Sequence, residues 1–223
     1  MRIISLVPSV TETLSSWDRT PVACTRFCER SDLAHVGGTK DPDIEAIVEL
    51  KPDLVVVDVE ENRREDYEAL LQRDVAVHVL HVRSLNDINP MMSDLADRVE
   101  ANWRSITFGE PIPERVRAFV PIWRRPWIAL GGSTYGASLL AHLGVVNVFD
   151  DDGRCPEIEL DDAIGRHPDV VLAPSEPYPF RERQLPELER VAPTTLIDGK
   201  DLFWWGSRTS DALTRLEGVL RGL

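Results

Sequence analysis

Short runs of β-branched and aliphatic residues recur along this chain with amphipathic segments between them, and this alternation restricts the fold more than any other feature. Residues 3–7, 53–57, 75–79, 116–122, 127–130, 169–172 and 194–197 read as strands. Strands that alternate with helical patterns imply parallel sheets covered by helices. The rhythm breaks once. Leu85, Ile88, Met92, Leu95, Val99, Trp103 and Ile106 follow helical spacing with no strand signal. The spacing predicts one helix from residue 84 to about 107, roughly 35 Å long at 1.5 Å per residue. Asn89-Pro90 falls in its first turns, and Gly109, Pro111 and Pro113 stop it. The expected organisation is an α/β lobe over residues 1–83, a connecting helix over 84–110 and a second α/β lobe over 111–223. Such a helix is a rigid strut, so the lobes should move little.

Local signals add detail. Ser9 with Glu12 three residues on reads as a capping box, and Asp41-Pro42 as a cap and first-turn proline ahead of a helix over 44–50 that Pro52 stops. Within Gly131-Gly132-Ser133-Thr134-Tyr135-Gly136, Ser133 or Thr134 is expected to cap a helix over 137–143.

At 223 residues and 43% hydrophobic content, the chain can bury a core without covalent staples. A formal charge of −13 repels polyanions, which argues against nucleic acid and anionic membrane surfaces. No apolar stretch approaches the ~20 residues that span a bilayer, so an integral membrane protein is not expected. Cys24, Cys28 and Cys155 form no even disulfide framework, and reduced thiols are the simpler expectation. With a strand-like segment starting at Ile3 and no leader pattern ahead of it, the sequence as written reads as cytoplasmic. The alternative is extracytoplasmic, if a leader has been removed.

Four of the six tryptophans sit in two clusters, residues 122–127 (IWRRPW) and 201–206 (DLFWWG). A Trp beside Pro, Arg and Gly at the end of an apolar run is well placed to line a cleft, where a rigid ring supplies contact area at low entropic cost. The competing role for each ring is core packing.

The opening run from Ile3 to Glu12 (IISLVPSVTE), the VGGT of 36–39 with the IEAIVELKPDLV of 44–55, the 84–107 segment, residues 144–149, 167–172 and Phe203-Trp204-Trp205 together resemble the helical-backbone substrate-binding proteins of iron-siderophore and cobalamin ABC importers. The resemblance covers nearly the whole chain. It implies two α/β lobes joined by one backbone helix, with ligand held in a cleft between lobe faces at the carboxyl ends of the strands. The crevice rule for open α/β sheets points to the same place. It further implies a non-enzymatic protein for a metal chelate such as a ferric siderophore, a corrinoid or a related tetrapyrrole, feeding an ABC importer permease. Aligned on this resemblance without gaps, two first-lobe positions that hold Trp in the family's cobalamin binder look like Lys40 and Asp58 here.

The loops at those strand ends supply the candidate ligand residues. Arg26 and Phe27, Lys40, Asp58 and Glu60, and Arg83 come from the first lobe. Trp123 and Trp127, Tyr178 and Phe180, and Trp204 and Trp205 come from the second. Arg26, Lys40 and Arg83 would neutralise anionic groups of the ligand while the rings cover its faces. No metal site of the protein's own is expected, because Cys24-x-x-x-Cys28 and His78-x-x-His81 lack the clustering that zinc-type sites need. No resident cofactor and no catalytic residue are expected either. The competing class is a cytoplasmic enzyme or small-molecule sensor acting on a related ligand. No Walker loop, nucleophile elbow or Gly-x-Gly-x-x-Gly accompanies it.

Overall fold

In a computed structural model that describes all 223 residues, the chain divides into two compact units. The first comprises Met1–Val82, Asn86–Ile106 and Trp205–Ser207, the second Arg83–Leu85, Thr107–Trp204 and Arg208–Leu223. No helix is long and apolar enough to cross a membrane.

The first unit is a five-stranded parallel sheet. β1 (Ile3–Ser5) is followed by α1 (Pro8–Ser16), β2 (Ala23–Cys24), β3 (Ala34–His35), α2 (Ile44–Glu49), β4 (Leu54–Asp58), α3 (Arg64–Leu71), β5 (Val77–Leu80) and α4 (Leu85–Arg98). The strand order is β3-β2-β1-β4-β5, with β1 between β2 and β4. Ile4, Ala23, Val55 and Val57 from the strands and Leu6 just beyond β1 pack with Ile47 of α2 and Leu70 of α3. β4 is buried along its whole length, as a central parallel strand covered on both faces must be. The strands β2 and β3 hold two residues each, too few to show a period.

Helix starts differ from their local signals. α1 begins on Pro8, with Val7 at the N-cap and no side-chain cap, so Ser9 lies inside the helix and is buried. A proline at the first helical position needs no donor there, which makes the Ser9–Glu12 box unnecessary. For α2 the cap is Asp43, whose Oδ1 accepts Ala46 N at 3.0 Å, rather than Asp41.

The largest difference concerns the central helix. It ends at Arg98, so it spans about 21 Å and not 35 Å. Glu100 follows with φ at 54°, and residues 101–115 have no regular secondary structure. Asn89 explains why. Its Nδ2 donates to Ile106 O at 2.8 Å, while its Oδ1 accepts Ile106 N at 2.8 Å and Trp103 Nε1 at 3.1 Å. These bonds hold residues 103–106 beside the helix as returning chain. Trp103 also meets Trp17 edge to face, with centroids 5.8 Å apart. The apolar spacing of Trp103 and Ile106 therefore reflects packing onto α4, not its continuation, and the strut argument loses its premise.

The second unit combines a parallel and an antiparallel sheet. Its elements are β6 (Val116–Phe119), β7 (Pro121–Trp123), β8 (Trp127–Ala129), α5 (Tyr135–His142), β9 (Val145–Asn147), β10 (Glu157–Ile158), α6 (Leu160–Gly165), β11 (Val170–Pro174), a 3₁₀ turn (Glu182–Gln184), α7 (Leu185–Leu188), β12 (Thr194–Ile197), α8 (Gly199–Phe203) and α9 (Thr209–Leu220). The parallel order is β12-β11-β6-β9, and β10-β8-β7 form the antiparallel sheet. The predicted strand over 116–122 is thus split between the two sheets. Thr134 caps α5, accepting Ala137 N at 3.2 Å, in agreement with the sequence. Phe119, Phe149, Val171, Ala173, Phe180 and Trp127 belong to one buried cluster in this unit.

Candidate functional site

Loops that leave the carboxyl ends of parallel strands are where open α/β sheets hold ligands. Each unit presents such loops, and the two sets differ in chemistry.

In the first unit, Arg26 follows β2. Its Nη2 lies 2.9 and 3.0 Å from the two oxygens of Asp41, and the guanidinium sits 4.9 Å from the Phe27 ring centroid. Phe27 is 53% exposed, which a core ring would not be. Gly38 makes this approach possible, since a Cβ there would lie 2.4 Å from Asp41 Oδ1 and 2.7 Å from Arg26 Nη2. Lys40 donates to Glu60 O at 2.7 Å, and His81 Nε2 is 3.6 Å from Glu60 Oε1. Arg83 is exposed just beyond β5.

Asp58 stands apart from these neighbours. It is 1% exposed at the end of β4, so its carboxylate is part of the framework and is not displayed to a ligand in this structure. Oδ1 accepts Glu60 N at 2.8 Å and Glu61 N at 3.3 Å, and Oδ2 accepts Val82 N at 3.4 Å. Burial pushes its pKa up to about 6, against the opposing pull of the backbone donors and of His81 and Lys40. Asn62 completes the network. Its Oδ1 accepts Asp58 N at 2.9 Å, and its Nδ2 donates to Leu6 O at 3.2 Å and Thr39 O at 2.9 Å. One buried amide thus ties together the chain leaving β1, β3 and β4.

In the second unit, Glu176 follows β11 and Trp204 follows β12 and α8. Trp204 Nε1 donates to Glu176 Oε1 at 2.6 Å. Lys200 Nζ lies 5.3 Å and Arg208 Cζ 5.4 Å from the Trp204 ring centroid, within cation–π range. Burial raises the pKa of Glu176, while Trp204 and Lys200 act to lower it. Behind the ring, Asp201 is buried and accepts two bonds of 2.7 Å from Arg215, with Arg208 at 3.5 Å.

The predicted aromatics separate by depth. Trp123 is 44% exposed and meets Tyr178 edge to face at 5.8 Å. Tyr178 contacts Phe180 at 4.7 Å, and Phe180 stacks on Trp127 at 6.1 Å. Phe180 and Trp127 are buried and serve as core that supports the outer pair. Trp205 is likewise buried at 4% exposure, unlike its neighbour Trp204. It belongs to the first unit, where Ser207 N donates to Thr13 Oγ1 at 3.1 Å and Gly206, with φ at 105°, lies so close to α1 that a Cβ would sit 2.3 Å from the same oxygen. Asp58, Trp127, Phe180 and Trp205, expected as ligand contacts, are therefore placed inside the fold. Lys200 and Arg208 were absent from the candidate set, although their spacing four residues to either side of Trp204 was a usable signal.

No group of three or more His, Cys, Asp or Glu side chains is placed to hold a metal ion. Cys28 has hydroxyls as hydrogen-bond partners, from Thr11 at 3.2 Å and Thr25 at 3.4 Å.

Residues 3–192 match the family model described as periplasmic binding protein. The chain belongs to that family. It is a binding protein, not an enzyme. A curated relative, the vitamin B12-binding protein of Vibrio parahaemolyticus, is 24% identical over 191 residues, covering 77% of this chain and 70% of the relative. Among solved structures, the periplasmic vitamin B12-binding protein of Vibrio cholerae superposes with a TM-score of 0.75 at 19% identity, covering 99% of this chain and 96% of that one. A periplasmic haem-binding protein in complex with two haems gives 0.78 at 17% identity, covering 97% and 96%. The fold is therefore shared with these binding proteins. These solved relatives are periplasmic by name, so the cytoplasmic placement expected from the sequence finds no support among them.

Proposed function

We propose that this protein binds an anionic metal chelate of the corrinoid, tetrapyrrole or ferric-siderophore class, outside the cytoplasm, and passes it to an ABC importer permease. The observation that carries the reading is Trp204. A half-buried indole is fixed by Glu176 at a strand-end loop and carries two cations over its ring. A fixed aromatic face suits a large conjugated or bulky ligand, and the cations match carboxylate or phosphate groups on its edge. Arg26 with Phe27 offers a second combination of cation and exposed ring in the first unit. Trp123 and Tyr178 extend the apolar area of the second. Arg26, Phe27, Lys40, Glu60, Arg83, Trp123, Tyr178 and Trp204, with Lys200 and Arg208 at the Trp204 ring, are the residues we assign to ligand contact. The names of the relatives, which bind vitamin B12 or haem, support the ligand class.

The test is direct titration of the purified protein with haem, cyanocobalamin and a panel of ferric siderophores, followed by tryptophan quenching and calorimetry. Saturable 1:1 binding of one class, weakened about tenfold or more by Trp204→Ala, is the expected result. Absence of binding across the panel would overturn the ligand class.

A further inference from the structure

The loop that carries Arg26 and Phe27 also holds two cysteines that the proposed ligand contacts do not use. Cys24 is the last residue of β2, and Cys28 ends the turn that follows, with Cys28 N donating to Thr25 O at 3.1 Å. The chain reverses within that turn and returns Cys28 toward the end of β2, where each thiol is the strongest influence on the other's ionisation. Both are free and buried, at 0% and 5% exposure.

Their surroundings make them unequal. Cys28 Sγ lies 3.2 Å from Thr11 Oγ1 and 3.4 Å from Thr25 Oγ1. Thr25 Oγ1 accepts Phe27 N at 3.3 Å, which leaves the hydroxyl's own hydrogen for the sulfur. The Cys24 thiol and the Thr25 hydroxyl can thus donate to negative charge on Cys28, while Thr11 shares its one hydrogen with Val7 O at 3.2 Å, and the pKa of Cys28 is lowered. Cys24, facing that sulfur in an apolar strand end, is pushed up and holds its proton. An acidic sulfur paired with a protonated one is the asymmetry of a nucleophile and its resolving thiol.

We propose that Cys24 and Cys28 form a redox couple that closes to a disulfide across the Thr25-Arg26-Phe27 loop. The oxidant is a disulfide, either a small molecule or a thiol-oxidising protein. The Cys28 thiolate attacks one of its sulfurs, forming a mixed disulfide and releasing one thiolate. Cys24 gives up its proton to solvent and attacks Cys28 Sγ, forming the Cys24–Cys28 bond and releasing the second thiolate. Two electrons pass to the oxidant. The closed ring would restrict the segment that presents Arg26 and Phe27, so the redox state of the surroundings would act on that loop whatever ligand the protein takes. Arg26, Phe27 and Glu29 beside the pair are exposed, and the oxidant reaches Cys28, itself 5% exposed, when this loop opens.

The experiment uses the full chain with Cys155→Ser, which removes the exposed third thiol. After incubation in oxidised glutathione the protein is denatured, alkylated and examined by mass spectrometry without reduction. The expected product has lost two hydrogens, resists alkylation, and yields a peptide linking Cys24 to Cys28. In the additional variant Cys24→Ser, glutathione should remain on Cys28, whereas Cys28→Ser should leave Cys24 reacting roughly tenfold more slowly or worse. Two alkylatable thiols after prolonged oxidation, or a persistent glutathione adduct in the chain that retains both cysteines, would overturn the proposal. Equal reactivity of Cys24 and Cys28 in the single variants would overturn the assignment of Cys28 as the attacking sulfur.

Discussion

The strand-end loops of the two units solve the same problem by different means. In the first unit, Asp58 and Asn62 hold their loops through buried hydrogen bonds to backbone groups, and the residues presented are charged or isolated, such as Arg26, Lys40 and Phe27. In the second, Phe180 and Trp127 form an aromatic base under Tyr178 and Trp123, while Trp204 is fixed by one short bond to Glu176. A polar network is directional and fails if one member is removed, because its partners stay buried and unpaired. Aromatic packing is spread over many contacts, and its outer rings can be removed with less harm to what lies beneath.

The sharpest way to break this contrast is the adjacent pair Trp204 and Trp205. Trp205→Ala empties a buried site and should cost about 3–5 kcal/mol in a denaturant melt. Trp204→Ala should cost only about 1–2 kcal/mol, from the lost bond to Glu176, with its main effect on ligand affinity. Equal stability losses would mean that both rings are core and that ligand contact lies around Arg26, Trp123 and Tyr178.

The next effect is on pH. The folded pKa of Asp58 is raised to about 6, above the ~3.9 of an unfolded chain. Between those values the folded state holds a proton that the unfolded state has lost, so this residue's contribution is full below about pH 3.9 and declines as pH rises through 6. The difference amounts to at most about 3 kcal/mol. Asp58→Asn should flatten stability against pH in that window relative to the unsubstituted protein. An unchanged slope would mean that the backbone donors outweigh burial and keep the group ionised.

The smallest effect belongs to the exposed ion pair. Arg26→Ala should change stability by less than about 1 kcal/mol, since both side chains of the Arg26–Asp41 pair are about half exposed or more. Its affinity for an anionic chelate should fall while that for a neutral one holds. A large loss of stability instead would place Arg26 with the framework of Asp58 and Asn62.

What could be read from the sequence alone was governed by short range. The seven β-branched runs announced the parallel α/β units because strand and helix periods are properties of neighbouring residues. A cap at Ser133 or Thr134 was legible for the same reason, and the structure selects Thr134. The strand-end rule then led to Arg26, Phe27, Lys40, Trp123, Tyr178 and Trp204, all at least partly exposed, although Trp123 lies within the antiparallel strand β7. Tertiary structure decided the rest. Trp204 and Trp205 are neighbours with opposite fates, because the chain passes from one unit to the other between them. Asp58 looks from its neighbours like a loop carboxylate, and only Asn62 and the amides of Glu60, Glu61 and Val82 make it part of the interior. The central helix stops at Arg98 although apolar spacing runs on to Ile106, since Asn89 captures the returning chain. Periodicity reports which residues are buried on a common side. It does not report which partner buries them, and that choice is made by groups distant in sequence.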